Sequence, residues 1–196
     1  HSLSLSAFKE YPMEIAEVAS MSMELFSMQH WQPFFEKEAD LKRAIEHQLE
    51  RTITIFPWIA IIDKFQHWVY TNPAHTIEQR TNEWQNIMKE FSCKTLNQSG
   101  LKEFRGIGWQ RQLHLFEVPF YYIEYGIAQL GAIGMWMQYQ KNPKEALENY
   151  MNALALGGTK TLPELYQTAG LEFNFSPAYV KNLMEFTNQE LEKLYH

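Results

Sequence analysis

Asp40-Leu41-Lys42-Arg43-Ala44-Ile45-Glu46-His47-Gln48-Leu49-Glu50-Arg51-Thr52-Ile53-Thr54-Ile55-Phe56 carries the pattern that decides the fold. Leu41, Ile45, Leu49, Ile53 and Phe56 recur every three or four residues and so step along one face of a helix. The pattern extends both ways and predicts a helix over about 36–70. Pro57 is expected to kink or divide it, because proline lacks an amide donor and crowds the preceding turn. Upstream, Pro12 stands near the start of a helix running to about Met28, and Gln32-Pro33 breaks the chain. Downstream, Asn72-Pro73 marks a turn, and Thr76 to about Phe91 reads as a helix. The stretch Asn97 to Trp109 carries three glycines and no clear period, so it reads as a mobile loop. A helix is predicted over about 119–140. Asn142-Pro143 starts the next, from Lys144 to Leu156, and Gly157-Gly158 stops it. Thr161-Leu162-Pro163-Glu164 reads as a capped restart, and Ser176-Pro177 opens a last helix to Leu194 with Ser176 as its N-cap. No Asn-Gly or Asp-Gly hairpin turn occurs and no sustained apolar/polar alternation. The reading is all-α and multi-helix, and 196 residues point to a single helical domain, 1–196.

Composition narrows the function. Hydrophobic residues make up 45% and charged residues 20%, which suits a globular chain rather than a disordered one. Aromatics at 15% must fill a core or line a cleft. A net charge of −6 argues against a nucleic-acid partner, since phosphate binding needs a basic surface. No apolar run approaches the roughly 20 residues that span a bilayer. The first residues lack the basic start and apolar core of a signal peptide, and the lone Cys93 cannot form an intramolecular disulfide. These features fit a cytoplasmic protein without a membrane partner. His1-Ser2-Leu3 lacks an initiator methionine, and the chain reads as a fragment of something longer.

Two segments hold chemistry-bearing side chains. In Tyr11-Pro12-Met13-Glu14-Ile15-Ala16-Glu17-Val18-Ala19-Ser20-Met21-Ser22-Met23-Glu24, Glu17 and Glu24 are two turns apart and share a helix face, with Glu14 next to Glu17. Carboxylates on a mostly apolar helix need compensation from a metal or a basic partner, unless they form a solvated stripe. The second segment is His114-Leu115-Phe116-Glu117-Val118-Pro119-Phe120-Tyr121-Tyr122-Ile123-Glu124-Tyr125. Tyr125 lies four residues from Tyr121 and three from Tyr122, so either pair can share a face. Tyrosine hydroxyls and an imidazole N–H can stabilise a developing oxyanion, but an aromatic core segment would look the same. His30, His47, His67 and His75 lack ligand spacing with one another. Cys93 has no base nearby in sequence, and Gly106-x-Gly108 lacks the flanking strand of a nucleotide-binding loop.

Glu17 to Glu24 resembles the E-x-x-S-x-x-x-E helix of the thimet oligopeptidase and oligoendopeptidase F family of zinc metallopeptidases. His114 to Tyr125 is similar to that family's H-x-x-x-x-P-F-Y-Y segment in the oligoendopeptidase F style. A third block, Ala153-Leu154-Ala155-Leu156-Gly157-Gly158-Thr159-Lys160 with Leu162-Pro163-Glu164-Leu165 and Ala169-Gly170, resembles the family near its C-terminus, and the blocks stand in family order. The resemblance implies the C-terminal part of a gluzincin-type catalytic domain, acting on short peptides with zinc as cofactor. It makes Glu17 the third zinc ligand, with Glu14 as competitor, and Glu24 an orienting residue behind it. His114, Tyr122 and Tyr125 become catalytic and Tyr121 substrate-binding, although Tyr121 and Tyr122 could exchange roles. The H-E-x-x-H helix is absent, so its histidines and general base are expected from the remaining N-terminal part of a parent protein. In the family that helix continues into a histidine and a small residue, which is how His1-Ser2 reads. The fragment alone is expected to be inactive. The alternatives are a non-catalytic helical interaction domain and a helical bundle holding an apolar ligand in an aromatic-lined cleft.

Overall fold

The computed structural model describes residues 3–93, Thr95 and 100–196. Among the described residues there are α-helices and short 3-10 turns but no strand, as the periodicity predicts. The helices are α1 (Met13–Ser27), α2 (Glu38–Thr71), α3 (Ile77–Phe91), α4 (Lys102–Gly106), α5 (His114–Glu117), α6 (Ile123–Lys141), α7 (Pro143–Ala155), α8 (Leu162–Thr168) and α9 (Pro177–Glu192). None is long and apolar enough to cross a membrane. The chain forms two compact units, His1–Ile53 with Ile127–His196, and Thr54–Gly126.

Helix ends follow local chemistry. Thr76 accepts from the Gln79 backbone N–H at 3.2 Å while Gln79 Oε1 accepts from the Thr76 N–H at 2.8 Å, a reciprocal cap that starts α3. Glu164 does the same for α8, accepting from the Thr161 N–H at 2.9 Å and its hydroxyl at 2.7 Å. Asn142 and Ser176 cap α7 and α9, each followed by proline at the first helical position. Two expectations fail, and the division allowed for at Pro57 does not occur. Pro57 does not divide α2, which runs unbroken from Glu38 to Thr71; only the bond to the Ile53 carbonyl is forfeited, and Ile53 is the last residue of its unit. The stretch read as a loop holds α4 and a 3-10 turn at Gly108–Arg111; its first residues, 97–99, lie outside the described ones. The helix predicted from Pro119 begins only at Ile123, because Phe120 takes a left-handed conformation (φ 61°) that ends one helical path before the next starts.

In the first unit, α1 turns Ile15, Val18, Ser22, Leu25 and Phe26 inward and packs against α7 and α8. Phe26 stacks on Tyr139 at 4.4 Å and meets Tyr150 edge-on at 5.9 Å. The Tyr150 hydroxyl donates to the Ala19 carbonyl at 3.1 Å. Gly131 of α6 makes room for side chains of α1 and α8: a Cβ there would sit 2.7 Å from Val18 Cγ2 and 2.9 Å from the Tyr166 hydroxyl. That hydroxyl donates to the Ile127 carbonyl at 3.2 Å, and burial pushes the Tyr166 phenol far above its usual range.

The second unit is built on aromatic packing. Ile61, Ile62, Phe65, Trp84 and Ile87 are buried together between the later part of α2 and α3. Trp84 meets Phe65 edge-on at 5.0 Å and Trp58 at 6.1 Å, and its indole N–H donates to the Arg105 carbonyl at 2.8 Å. That bond ties α4 to α3. Trp109, Leu115 and Tyr122 pack on the rim of the cluster, which fixes α5 and the start of α6.

Candidate functional site

The sequence-selected residues divide between the units. Glu17 and Glu24 lie on α1 in the first. Glu17 is half-buried, and the Ser20 hydroxyl sits 3.0 Å from its carbonyl and 3.4 Å from Oε2, so serine three residues on steadies the carboxylate. Glu24 is exposed, and its Oε2 accepts from Gln48 Nε2 at 3.1 Å. The apolar neighbours that made these acids look buried in sequence point elsewhere, since Ile15, Val18, Leu25 and Phe26 take the core face.

The second unit brings His114, Tyr121, Tyr122 and Tyr125 into one cluster, each half-buried. His114 meets Tyr122 edge-on at 5.0 Å and Tyr125 at 5.7 Å, and it stacks on Tyr121 at 6.1 Å. Tyr125 in turn meets Tyr121 at 5.5 Å and Tyr122 at 5.2 Å. His114 Nε2 is 3.3 Å from the Tyr125 hydroxyl, and its Nδ1 is 2.7 Å from Gln112 Nε2. With the Gln112 amide nitrogen donating, Nδ1 is the acceptor and Nε2 carries the hydrogen. The Tyr125 oxygen then accepts from the imidazole. Trp58 Nε1 donates to the Tyr122 hydroxyl at 3.1 Å. Burial raises the Tyr122 pKa above the ordinary phenol value; the Trp58 and Gln112 bonds oppose this, and the Tyr125 phenol adds to it.

Two partners went unnoticed in the sequence. Gln112 precedes His114 by two residues, a spacing that could have flagged it. Trp58 lies far off on α2, and nothing local marks it. Both also line a cavity of about 460 Å³ with Trp84, Met88, Leu101, Phe104, Arg105, Gly108 and Arg111. The remaining sequence candidates stay apart. His75 Nδ1 bonds the Asn72 carbonyl at 2.5 Å, His67 lies 3.6 Å from Asp63, and exposed Cys93 contacts the Thr95 hydroxyl at 2.9 Å. No group of three or more His, Cys, Asp or Glu side chains able to hold a metal exists among the described residues.

A profile of peptidase family M3 matches residues 3–185. The chain belongs to peptidase family M3. This is a family of zinc-dependent metallopeptidases. A crystal structure of an oligoendopeptidase F is 30% identical with a TM-score of 0.86; the match covers 97% of this chain and 34% of that one. PZ peptidase A, solved with an inhibitor, is 30% identical with a TM-score of 0.84 and covers 96% and 34%. An oligoendopeptidase F from Bacillus anthracis is 29% identical with a TM-score of 0.78 and covers 98% and 31%. Comparison with curated proteins gives no match. The M3 chain thus spans about a third of the solved structures it matches. The donor set does not by itself fit a catalytic zinc, which takes three protein ligands and an open position, because among the described residues Glu17 is not part of any such group.

Proposed function

We propose that residues 1–196 are the distal catalytic part of a cytoplasmic zinc oligoendopeptidase of the oligoendopeptidase F type that hydrolyses short peptides. In this reading Glu17 supplies one metal ligand and Glu24 helps to orient it. The remaining ligands and the general base come from the N-terminal part of the parent. Bound zinc would activate water and polarise the scissile carbonyl. This chain's own work is to hold donors for the oxyanion that develops on that carbonyl. The observation that carries the reading is the His114 cluster. An imidazole N–H and two tyrosine hydroxyls lie within one ring-packed group, with Trp58 fixing the Tyr122 ring. Tyr121, stacked on the other side of His114, is read as a substrate contact.

The test uses the full-length parent. Tyr125→Phe keeps nearly all the aromatic volume, so stability and zinc content should barely change. A hydroxyl that meets the oxyanion only in the transition state should lower kcat and kcat/KM together, by about a hundredfold or more. Glu17→Gln should instead weaken zinc retention by removing an anionic ligand. Full activity in Tyr121→Phe, Tyr122→Phe and Tyr125→Phe alike would reduce the cluster to packing. A parent without H-E-x-x-H would leave only an interaction or ligand-binding domain.

A further inference from the structure

Gln112 stands where the 3-10 turn Gly108–Arg111 passes into α5, and its backbone is held from both sides. Its N–H donates to the Trp109 carbonyl at 3.0 Å, and its carbonyl accepts from the Leu115 N–H at 3.1 Å. Trp109 and Leu115 both pack against the buried cluster that contains Phe65 and Trp84. The half-buried Gln112 side chain is thus carried on a fixed backbone, and it serves two groups of the same unit. Its Nε2 lies 2.7 Å from His114 Nδ1, and the same side chain bonds the Tyr122 hydroxyl. An amide nitrogen has two hydrogens, one for each of these bonds. The Tyr122 oxygen already accepts from Trp58 Nε1 at 3.1 Å. With a second donor from Gln112, both acceptor positions on that oxygen are filled, and its own hydrogen is what it can offer a further acceptor.

The direction of one amide therefore decides the direction of two neighbours. A nitrogen facing His114 makes Nδ1 an acceptor and leaves the imidazole hydrogen on Nε2, the atom 3.3 Å from the Tyr125 hydroxyl. An oxygen in its place would demand hydrogens from both Nδ1 and Tyr122. Nε2 would then be a bare acceptor, and neither group could donate to a developing oxyanion. We propose that Gln112 is a positioning residue, whose single amide sets both the tautomer of His114 and the direction of the Tyr122 hydroxyl so that both act as donors. The use of those donors in catalysis rests on the peptidase reading above; the tautomer itself does not.

Long-range proton–nitrogen correlation spectra of the chain with isotope-labelled histidine test the tautomer directly, with His114→Gln identifying the signal. His114 should show a hydrogen on Nε2 and a bare Nδ1. Gln112→Glu keeps the length and shape of the side chain but can only accept, so it should move the hydrogen to Nδ1. A packing role alone would leave that pattern unchanged. In the full-length parent at about pH 9, where imidazole carries one hydrogen, the same variant should lower kcat and kcat/KM together by about a hundredfold, with Tm nearly unchanged. A hydrogen on Nδ1 in the native chain would overturn the proposal, and that spectrum decides the matter even where the variant fails to fold. A tautomer that survives Gln112→Glu would overturn it too, as would a fully active Gln112→Glu parent beside an inactive His114→Gln parent. Full activity in His114→Gln would instead sink the oxyanion reading and leave the tautomer to the spectra.

Discussion

Two glycines on the same helix give opposite expectations, and the difference measures how closely α1 and α8 approach α6. Both Gly131 and Gly126 are helical, so replacing either by alanine gains about 1 kcal/mol from backbone propensity alone. At Gly126 the new methyl would sit 3.4 Å from Ile59 Cγ2, an ordinary contact, so Gly126→Ala should stabilise by up to about 1 kcal/mol. At Gly131 it would meet Val18 Cγ2 at 2.7 Å and the Tyr166 hydroxyl at 2.9 Å. Overpacking of this kind costs about 1–3 kcal/mol, and pushing Tyr166 off the Ile127 carbonyl adds about 1 kcal/mol for the lost hydrogen bond. Set against the propensity gain, Gly131→Ala should destabilise by about 1–3 kcal/mol. For a chain of this size each kcal/mol shifts Tm by about 2–4 °C, so thermal unfolding followed by circular dichroism should show Gly126→Ala at or above the parent and Gly131→Ala clearly below it. Equal shifts of one sign would mean that propensity governs both positions and that the close approach is not real.

Other consequences are simpler to check. Thr76→Ala removes the reciprocal cap of α3 and should cost about 0.5–2 kcal/mol in urea unfolding, whereas an unchanged midpoint would rule the cap out as a stabilising element. Hydrogen bonds from the Thr161 backbone and hydroxyl hold the Glu164 carboxyl below the ordinary value of 4.5, with Lys160 adding a weaker pull. The stability it contributes is therefore present above the unfolded pKa and lost as pH falls through the lower folded one. Glu164→Gln should lower Tm at neutral pH, and that gap should close on acidification below about pH 4; a carboxyl titrating by NMR at or above the ordinary value would refute this. The chain purified without the rest of its parent should neither retain zinc after dialysis nor cleave a quenched peptide, and zinc-dependent cleavage would contradict the proposed division of ligands.

Much of the fold is legible because helix boundaries are local. Thr76, Asn142, Thr161 and Ser176 cap their helices through bonds within three residues, and a pattern of that span can be read directly. The misreadings share a different cause. The amide that Pro57 lacks removes one bond from a long ladder, too little to stop α2. The segment around Gly106 becomes helical because Trp84 reaches in from α3 to hold the Arg105 carbonyl, a contact no local pattern announces. Phe120 adopts a conformation that no sequence rule assigns to phenylalanine, since the Gln66 acceptor and the flanking His67 and Tyr70 rings come from α2. The site divides the same way. His114 and its tyrosines cluster within twelve residues and could be found by resemblance, while Trp58, which orients Tyr122, belongs to a different helix.

The turn at Phe120 also bears on reorganisation. A bulky residue held at positive φ costs about 1–3 kcal/mol, and here it is retained by a hydrogen bond from its N–H to Gln66 and by two ring contacts, His67 and Tyr70, each at 4.9 Å. That free energy is spent once, during folding. Tyr121 follows directly and Tyr122 one residue later, so the dipoles of the segment are oriented before any ligand arrives. Under the proposed function, little solvent or side-chain rearrangement would remain for the moment when charge develops. Phe120→Gly, which relieves the strain and loosens the turn, should therefore make the protein's tyrosines more mobile on the nanosecond scale.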